Sequence, residues 1–238
     1  MNDRAAAPNR DREPRAAASA AARRRVPVWD LPTRLFHWLI VLLVAGAYAT
    51  WRLNWMGWHE RLGKVLLALL LFRLAWGFVG SETARFARFV ATPAAAWRHL
   101  RRMLRREPDA QVGHNPAGGW MVLLMLLLLL GETLTGIFVA NDVADFGPFT
   151  AITPAPVANA IDTAHALLWD AVLAAVALHV LAIIVYAVFK GQNLLWPMIA
   201  GTKLLPNGVP PPRLAGTARA AIVLAAGAVA AMLIARLM

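Results

Sequence analysis

Two histidines define the chemistry open to this chain. His165 and His179 stand fourteen positions apart in one apolar run, Ile161 to Phe189, which is long enough to cross a bilayer. Fourteen residues of α-helix turn through about 1400°, about 40° short of four turns, and rise about 21 Å. Both imidazoles therefore face one side, one near each edge of a hydrocarbon core about 30 Å thick. Ionisable side chains at such depth are costly and usually functional. Stacked in this way, each can supply one axial ligand to a separate haem. Zinc also takes imidazole, but intramembrane zinc sites usually add carboxylates, and only Glu132 and Asp170 are candidates here. Haem is the stronger reading.

The elements that hold these groups are membrane helices. Hydrophobic residues make up 59% of the 238, and mean hydropathy is +0.54, too apolar for a soluble domain of this size. The chain has no Cys. That excludes disulfides, thiolate-held iron–sulfur clusters and covalent C-x-x-C-H haem attachment, so any haem is held non-covalently. Five apolar segments approach or exceed the roughly 17–25 residues of a span: about Leu35–Trp55, Val65–Val79 (extendable back to His59), Trp120–Ala140, Ile161–Phe189 and Ala218–Leu237.

A net charge of +11 would suit nucleic acid, but its distribution follows the membrane instead. Arginines crowd the N-terminal segment (Arg4 to Arg34) and the connection after the second span (Arg85 to Arg106), whereas Asn141 to Ala160 holds Asp142 and Asp145 and no Lys or Arg. The positive-inside rule then predicts a cytoplasmic N-terminus and, with five spans, an external C-terminus. Residues 1–27 read as a disordered basic cytoplasmic arm, 28–205 as the transmembrane core, and 206–238 as a Pro-rich linker and C-terminal span. Between Thr92 and Glu107 apolar and basic groups alternate at helical spacing. This segment is expected to lie on the inner surface with Trp97, Leu100 and Leu104 dipping in and His99 solvated on its basic face.

With that orientation the other histidines fall at matching depths. His37 lies at the inner end of the first span and His59 at the outer start of the second. The pairs are therefore His37 with His179 inside, and His59 with His165 outside. A lone membrane histidine is more often an interhelical hydrogen-bonding group; two depth-matched pairs point to cofactor sites between facing helices of a bundle.

The same residues carry a family resemblance. The chain resembles the bacterial cytochrome b561 family, which includes the b-type cytochrome subunits of nickel–iron hydrogenases. The likeness runs from about Val28 to Lys203, through Val28-Trp-Asp-Leu-Pro-Thr-Arg-Leu-Phe-His-Trp38, His59-Glu-Arg-Leu-Gly63, Phe72-Arg-Leu-Ala-Trp-Gly-Phe-Val-Gly80 with Ala84-Arg-Phe86, Gly113-His-Asn-Pro-Ala-Gly-Gly119, His165, His179, and Gly191-Gln-Asn-Leu with Gly201-Thr-Lys203. It implies an all-α integral membrane protein of the bacterial inner membrane, with a four-helix bundle holding two haems b and, here, a fifth C-terminal helix. It also implies electron exchange between quinone and a partner redox protein, and its ligand positions map onto His37, His59, His165 and His179. Glu132 departs from the family pattern, which more often has an uncharged polar residue there.

Bis-His ligation leaves no open iron position, so such a haem carries electrons rather than activating small molecules. Arg73 follows His59 by fourteen residues and shares its helix face, where it would either pair with an inner-haem propionate or snorkel to the surface. Arg34 is a second propionate candidate, or an interface anchor. Asn115 and Pro116 fit a helix cap and first-turn proline; His114 beside them either belongs to that cap or lies near quinone or a propionate. The expected function is electron transfer between a periplasmic redox protein, a c-type cytochrome or dehydrogenase, and membrane quinone. The alternatives are a stand-alone superoxide/quinone oxidoreductase and a haem-free transporter or anchor.

Overall fold

The computed structural model describes residues 23–103, 105, 111–139 and 153–236. The first 22 residues of the expected arm, Leu104, and Asp142 and Asp145 of the acidic connection lie outside them.

Helix α1, Leu31–Arg52, begins where Asp30 accepts a 2.6 Å hydrogen bond from the backbone N–H of Thr33, with Pro32 in the first turn. This satisfies an orphan donor and uses proline where it does least harm. The other carboxylate oxygen of Asp30 accepts from Trp76 Nε1 at 3.2 Å. That bond ties the start of α1 to the end of α2, Met56–Val79, and Trp76 itself is fully buried. A tight turn joins the two helices through Asn54, which takes the left-handed conformation at φ 57°, one that Asn tolerates better than most residues. The turn holds α1 and α2 side by side, so His59 comes back against α1.

After α2 come a short turn at Glu82–Ala84, α3 at Phe86–Phe89 and the surface helix α4 at Pro93–Arg101. Helix α5, Pro116–Thr135, starts on the cap read from the sequence: Asn115 Oδ1 accepts from the N–H of Gly118 at 2.7 Å. Helix α6 runs Ala155–Val185 and closes through a π turn, Tyr186–Lys190, at Gly191, which has a positive φ of 65°. Helix α7 is short, Leu195–Ala200. The fifth span, α8, is Thr217–Arg236. All five long helices are apolar and long enough to cross a membrane.

The chain is thus a mostly helical multi-pass membrane protein. Ile40, Leu66, Leu69, Leu70, Leu126, Leu129 and Val172 form the centre of a bundle made by α1, α2, α5 and α6. Outward side chains such as Leu42, Phe78, Leu127 and Ile222 are exposed in the surround that lipid would fill. Helix α8 lies outside the four and runs antiparallel along α2: Arg219 near its start donates to the carbonyl of Val79 at 3.3 Å, and Gly227 sits against Ala68 and Phe72. A Cβ at Gly227 would come within 3.1 Å of the Phe72 nitrogen, so the missing side chain lets the two backbones touch.

Three features differ from the sequence reading. Residues 23–27, expected to belong to the disordered arm, form strand β1 (Arg23–Pro27), paired antiparallel with β2 (Thr202–Pro206). Val26 and Leu205 bury against Val28 beneath this sheet, and Gly201, at φ 77°, offers its carbonyl to the N–H groups of Val28 and Trp29 at 2.8 and 3.1 Å. Helix boundaries also shift: α2 starts at Met56 rather than Val65, α6 at Ala155 rather than Ile161, and α5 ends at Thr135. Finally, His99 is not simply solvated, because its Nε2 bonds to the Tyr186 hydroxyl. Trp97 and Leu100 are exposed as expected for a helix lying on lipid.

Candidate haem sites

The inner pair meets inside the bundle. The ring centres of His37 on α1 and His179 on α6 are 6.4 Å apart. A metal–imidazole bond of about 2.0–2.1 Å, with a ring nitrogen roughly 1.1 Å from its ring centre, puts two imidazoles on opposite faces of one metal roughly 6 Å apart. The observed spacing fits. His37 Nδ1 is sealed from solvent without a hydrogen-bond partner, and the Trp38 ring packs edge-on at 4.9 Å.

Arg73 and His114 lie beside this pair. Arg73 is 3% exposed, which removes the snorkelling reading. Its guanidinium stands 5.2 and 6.0 Å from the ring centres of Phe86 and Phe89, and buried Nη1 makes no hydrogen bond. A buried cation is costly; the Asp30 carboxylate lies near enough to attract it, and the unused Nη1 donor leaves a place for a further acceptor. His114 is held between Trp29 and Phe89 at 4.6 and 4.8 Å, ring centre to ring centre, with Nδ1 buried and unbonded. Burial, then the positive charge of Arg73, pushes its pKa down to about 3, with smaller contributions from His179 and His37. With the proton on Nδ1, the neutral ring offers a sealed donor beside Arg73 that suits a carboxylate such as a haem propionate. Arg34 also keeps a buried Nε without a hydrogen-bond partner. Its Nη1 donates to the carbonyl of Ile199 at 2.5 Å, anchoring the end of α7 to α1.

The outer pair is oriented by hydrogen bonds that fix the tautomers. His59 Nδ1 lies 2.9 Å from the carbonyl of Ala47 on α1. A carbonyl only accepts, so Nδ1 carries the proton and Nε2 keeps the lone pair a metal needs. His165 Nδ1 lies 3.0 Å from the Thr135 hydroxyl, which already donates back to the carbonyls of Gly131 and Glu132 and so accepts here. His165 also lies close enough to His59 for their charges to interact. Glu132 Oε1 stands 3.4 Å from His165 Nε2, so ligation through that nitrogen requires the Glu132 side chain to turn aside. Gly136 makes room for the imidazole: a Cβ there would lie 3.1 Å from His165 Cε1.

Among the described residues, no three of His, Asp and Glu converge as a metal site. Paired imidazoles suit a group that brings its own equatorial donors, as a porphyrin does. The sequence reading missed His114 as a neighbour of Arg73. It also missed the link from His99 through Tyr186 to Asn115, whose Nδ2 donates to the same hydroxyl at 2.9 Å. The seven-residue step from His179 to Tyr186, about two helical turns, was the available signal.

The profile of the prokaryotic cytochrome b561 family matches residues 28–201. This chain belongs to that family. The cytochrome is 26% identical over 220 residues to a protein named probable Ni/Fe-hydrogenase B-type cytochrome subunit from Rhizobium leguminosarum bv. viciae, covering 78% of this chain and 91% of that protein. A protein of the same name from Bradyrhizobium diazoefficiens is 27% identical over 242 residues, covering 84% and 97%. The probable Ni/Fe-hydrogenase 1 B-type cytochrome subunit of Escherichia coli K12 is 28% identical over 139 residues, covering 45% of this chain and 59% of that protein. No solved structure matches the cytochrome. Family and fold together make it a membrane-embedded b-type cytochrome that transfers electrons.

Proposed function

We propose that the cytochrome carries electrons across the inner membrane through two bis-His haems b, joining a redox protein at the periplasmic face to quinone in the bilayer. The observation that supports this reading is the placement of His165 and His179 on one helix, with the His179 ring 6.4 Å from that of His37 and His165 within electrostatic range of His59. Haem b, when bound, would supply one-electron exchange. His37 and His179 would hold the inner haem and His59 and His165 the outer one, with Arg73 and His114 at inner propionates. Hydrogen bonds from His59 to the Ala47 carbonyl and from His165 to the Thr135 hydroxyl would orient the outer rings. The relatives' names support a dehydrogenase of the hydrogenase type as partner; a c-type cytochrome would serve the same role.

Reconstitution tests the function. In liposomes loaded with ferricyanide, a membrane-impermeant reductant added outside should bleach the trapped dye. His59→Ala should slow this to the rate of empty liposomes. Bleaching that survives in His59→Ala would show that electrons do not take this path.

Orientation follows from the arginines, which predict a cytoplasmic N-terminus. A reporter fused after Lys203 should be active only in the cytoplasm, and one fused after Met238 only in the periplasm. Activity of both on one side would leave the cytochrome with an even number of spans.

A further inference from the structure

The turn between α1 and α2 ends one helical turn from His59. Its backbone is fixed: the N–H groups of Leu53, Asn54 and Trp55 donate to the carbonyls of Ala49, Trp51 and Thr50 at 3.0, 3.0 and 2.8 Å. Thr50 beneath them is buried, its hydroxyl bonded back to the carbonyls of Gly46 and Ala47. The side chains on this rigid frame are nonetheless open, since Trp51, Leu53, Trp55 and Trp58 are each between 48% and 57% exposed. The N–H of His59 donates to the Trp55 carbonyl at 3.0 Å, and the two residues are about 6 Å apart along the helix axis.

Two arginines complete this surface. The Arg52 guanidinium stands 5.6 Å from the centre of the Trp51 ring, and that of Arg61 stands 5.0 Å from the Trp58 ring, so each cation is held against an indole face. Among the described residues neither arginine pairs with an Asp or Glu; the nearby carboxylate of Glu60 pairs with Lys64 at 2.5 Å instead. The surface is therefore positive. In the orientation proposed above, arginine at this end of a span works against the rule that orients the chain, so its presence here needs another reason. Tryptophan alone would fit the aromatic belt of a membrane interface. Tryptophan with arginine is the composition of a protein-binding hot spot, and a rigid turn loses little freedom when a partner lands on it.

We infer that this turn is the landing site of a soluble redox protein with an acidic docking face, whose carboxylates meet Arg52 and Arg61 and whose apolar centre covers Trp51 and Trp55. That the occupant is a redox protein rests on the electron path proposed above; that its face is acidic rests on the arginines. Docking here brings the partner's electron carrier to the end of α2 that holds His59. One electron then passes across the contact, oxidising the donor and reducing the acceptor, with no bond made or broken.

The chain has no Cys, so Gly57→Cys, where an added Cβ meets nothing within 4 Å, takes a single environment-sensitive fluorophore on the turn. The labelled holo-cytochrome in phosphatidylcholine nanodiscs is titrated at low salt with a plant-type ferredoxin, which is strongly acidic, or with a basic mitochondrial-type cytochrome c. Ferredoxin should bind about tenfold or more tightly than cytochrome c, and its affinity should fall as salt rises. Arg52→Gln with Arg61→Gln should weaken ferredoxin binding about tenfold or more, with the haem spectrum unchanged. Trp51→Ala with Trp58→Ala should weaken it by a similar factor; the arginine variant serves alone if this one does not assemble. Equal binding of the two proteins would overturn the inference, as would ferredoxin binding that survives the arginine changes. Quenching by brominated acyl chains as strong as that of a fluorophore at Leu127→Cys, an exposed position on α5, would put the turn in lipid and refute docking. The liposome assay above keeps the two readings apart, because its small reductant needs no docking surface. Intact bleaching without ferredoxin binding removes the landing site alone, whereas absent bleaching in the wild type removes the electron path.

Discussion

His165→Ala and His179→Ala should each purify with about half the haem of the wild type, and the half that is lost should differ between them. Each change would remove one of the two imidazoles proposed to hold a haem, and a single remaining ligand would not keep a non-covalent haem in a low-spin state. The two residues sit about 21 Å apart along α6, so neither loss should spread to the other site. Redox titration shows which haem has gone: the wild type should give two midpoints, and each variant should retain a different one. The outer variant carries a further signature. Thr135 loses the ring that donates to it and Glu132 its partner at 3.4 Å, so helix packing at that end should loosen as well. Two unchanged low-spin signals in either variant would contradict the ligand assignment.

The second large effect belongs to Arg73. Its guanidinium is buried and keeps an unbonded donor beside the inner pair. Arg73→Leu removes that positive charge, which favours the oxidised, more positive haem, so the inner midpoint should fall. At an effective dielectric near 20 and a separation of about 8–10 Å, the shift is on the order of 50–100 mV. The outer midpoint should barely move. Arg73→Lys should fall between, because Lys keeps the charge but loses the two-pronged geometry. A purely structural Arg73 would lower stability in both variants and leave both midpoints in place.

The five spans and the approach of His37 to His179 were legible in the sequence for a simple reason. Span length and histidine depth depend on helical rise and apolar run alone, and neither needs tertiary contacts. Orientation of the outer rings was not legible, because the Ala47 carbonyl and the Thr135 hydroxyl come from other helices. Arg73 shows the limit clearly: spacing left it either at a propionate or snorkelling, and only the packing of Phe86 and Phe89 around its guanidinium distinguishes a buried cation from a snorkelling one. Arg34 shows the same limit: the bond from its Nη1 to the Ile199 carbonyl, a partner 165 residues away, has no sequence signal. The β1–β2 pairing was equally hidden. Arg-Arg-Arg-Val-Pro has no alternating pattern, and its partner strand lies near the far end of the core.

Haem stoichiometry of the wild-type cytochrome tests the central claim most directly. A pyridine-haemochrome assay against protein concentration from amino-acid analysis should give two haems b per chain. A value of one or none would contradict the account of two paired histidine sites.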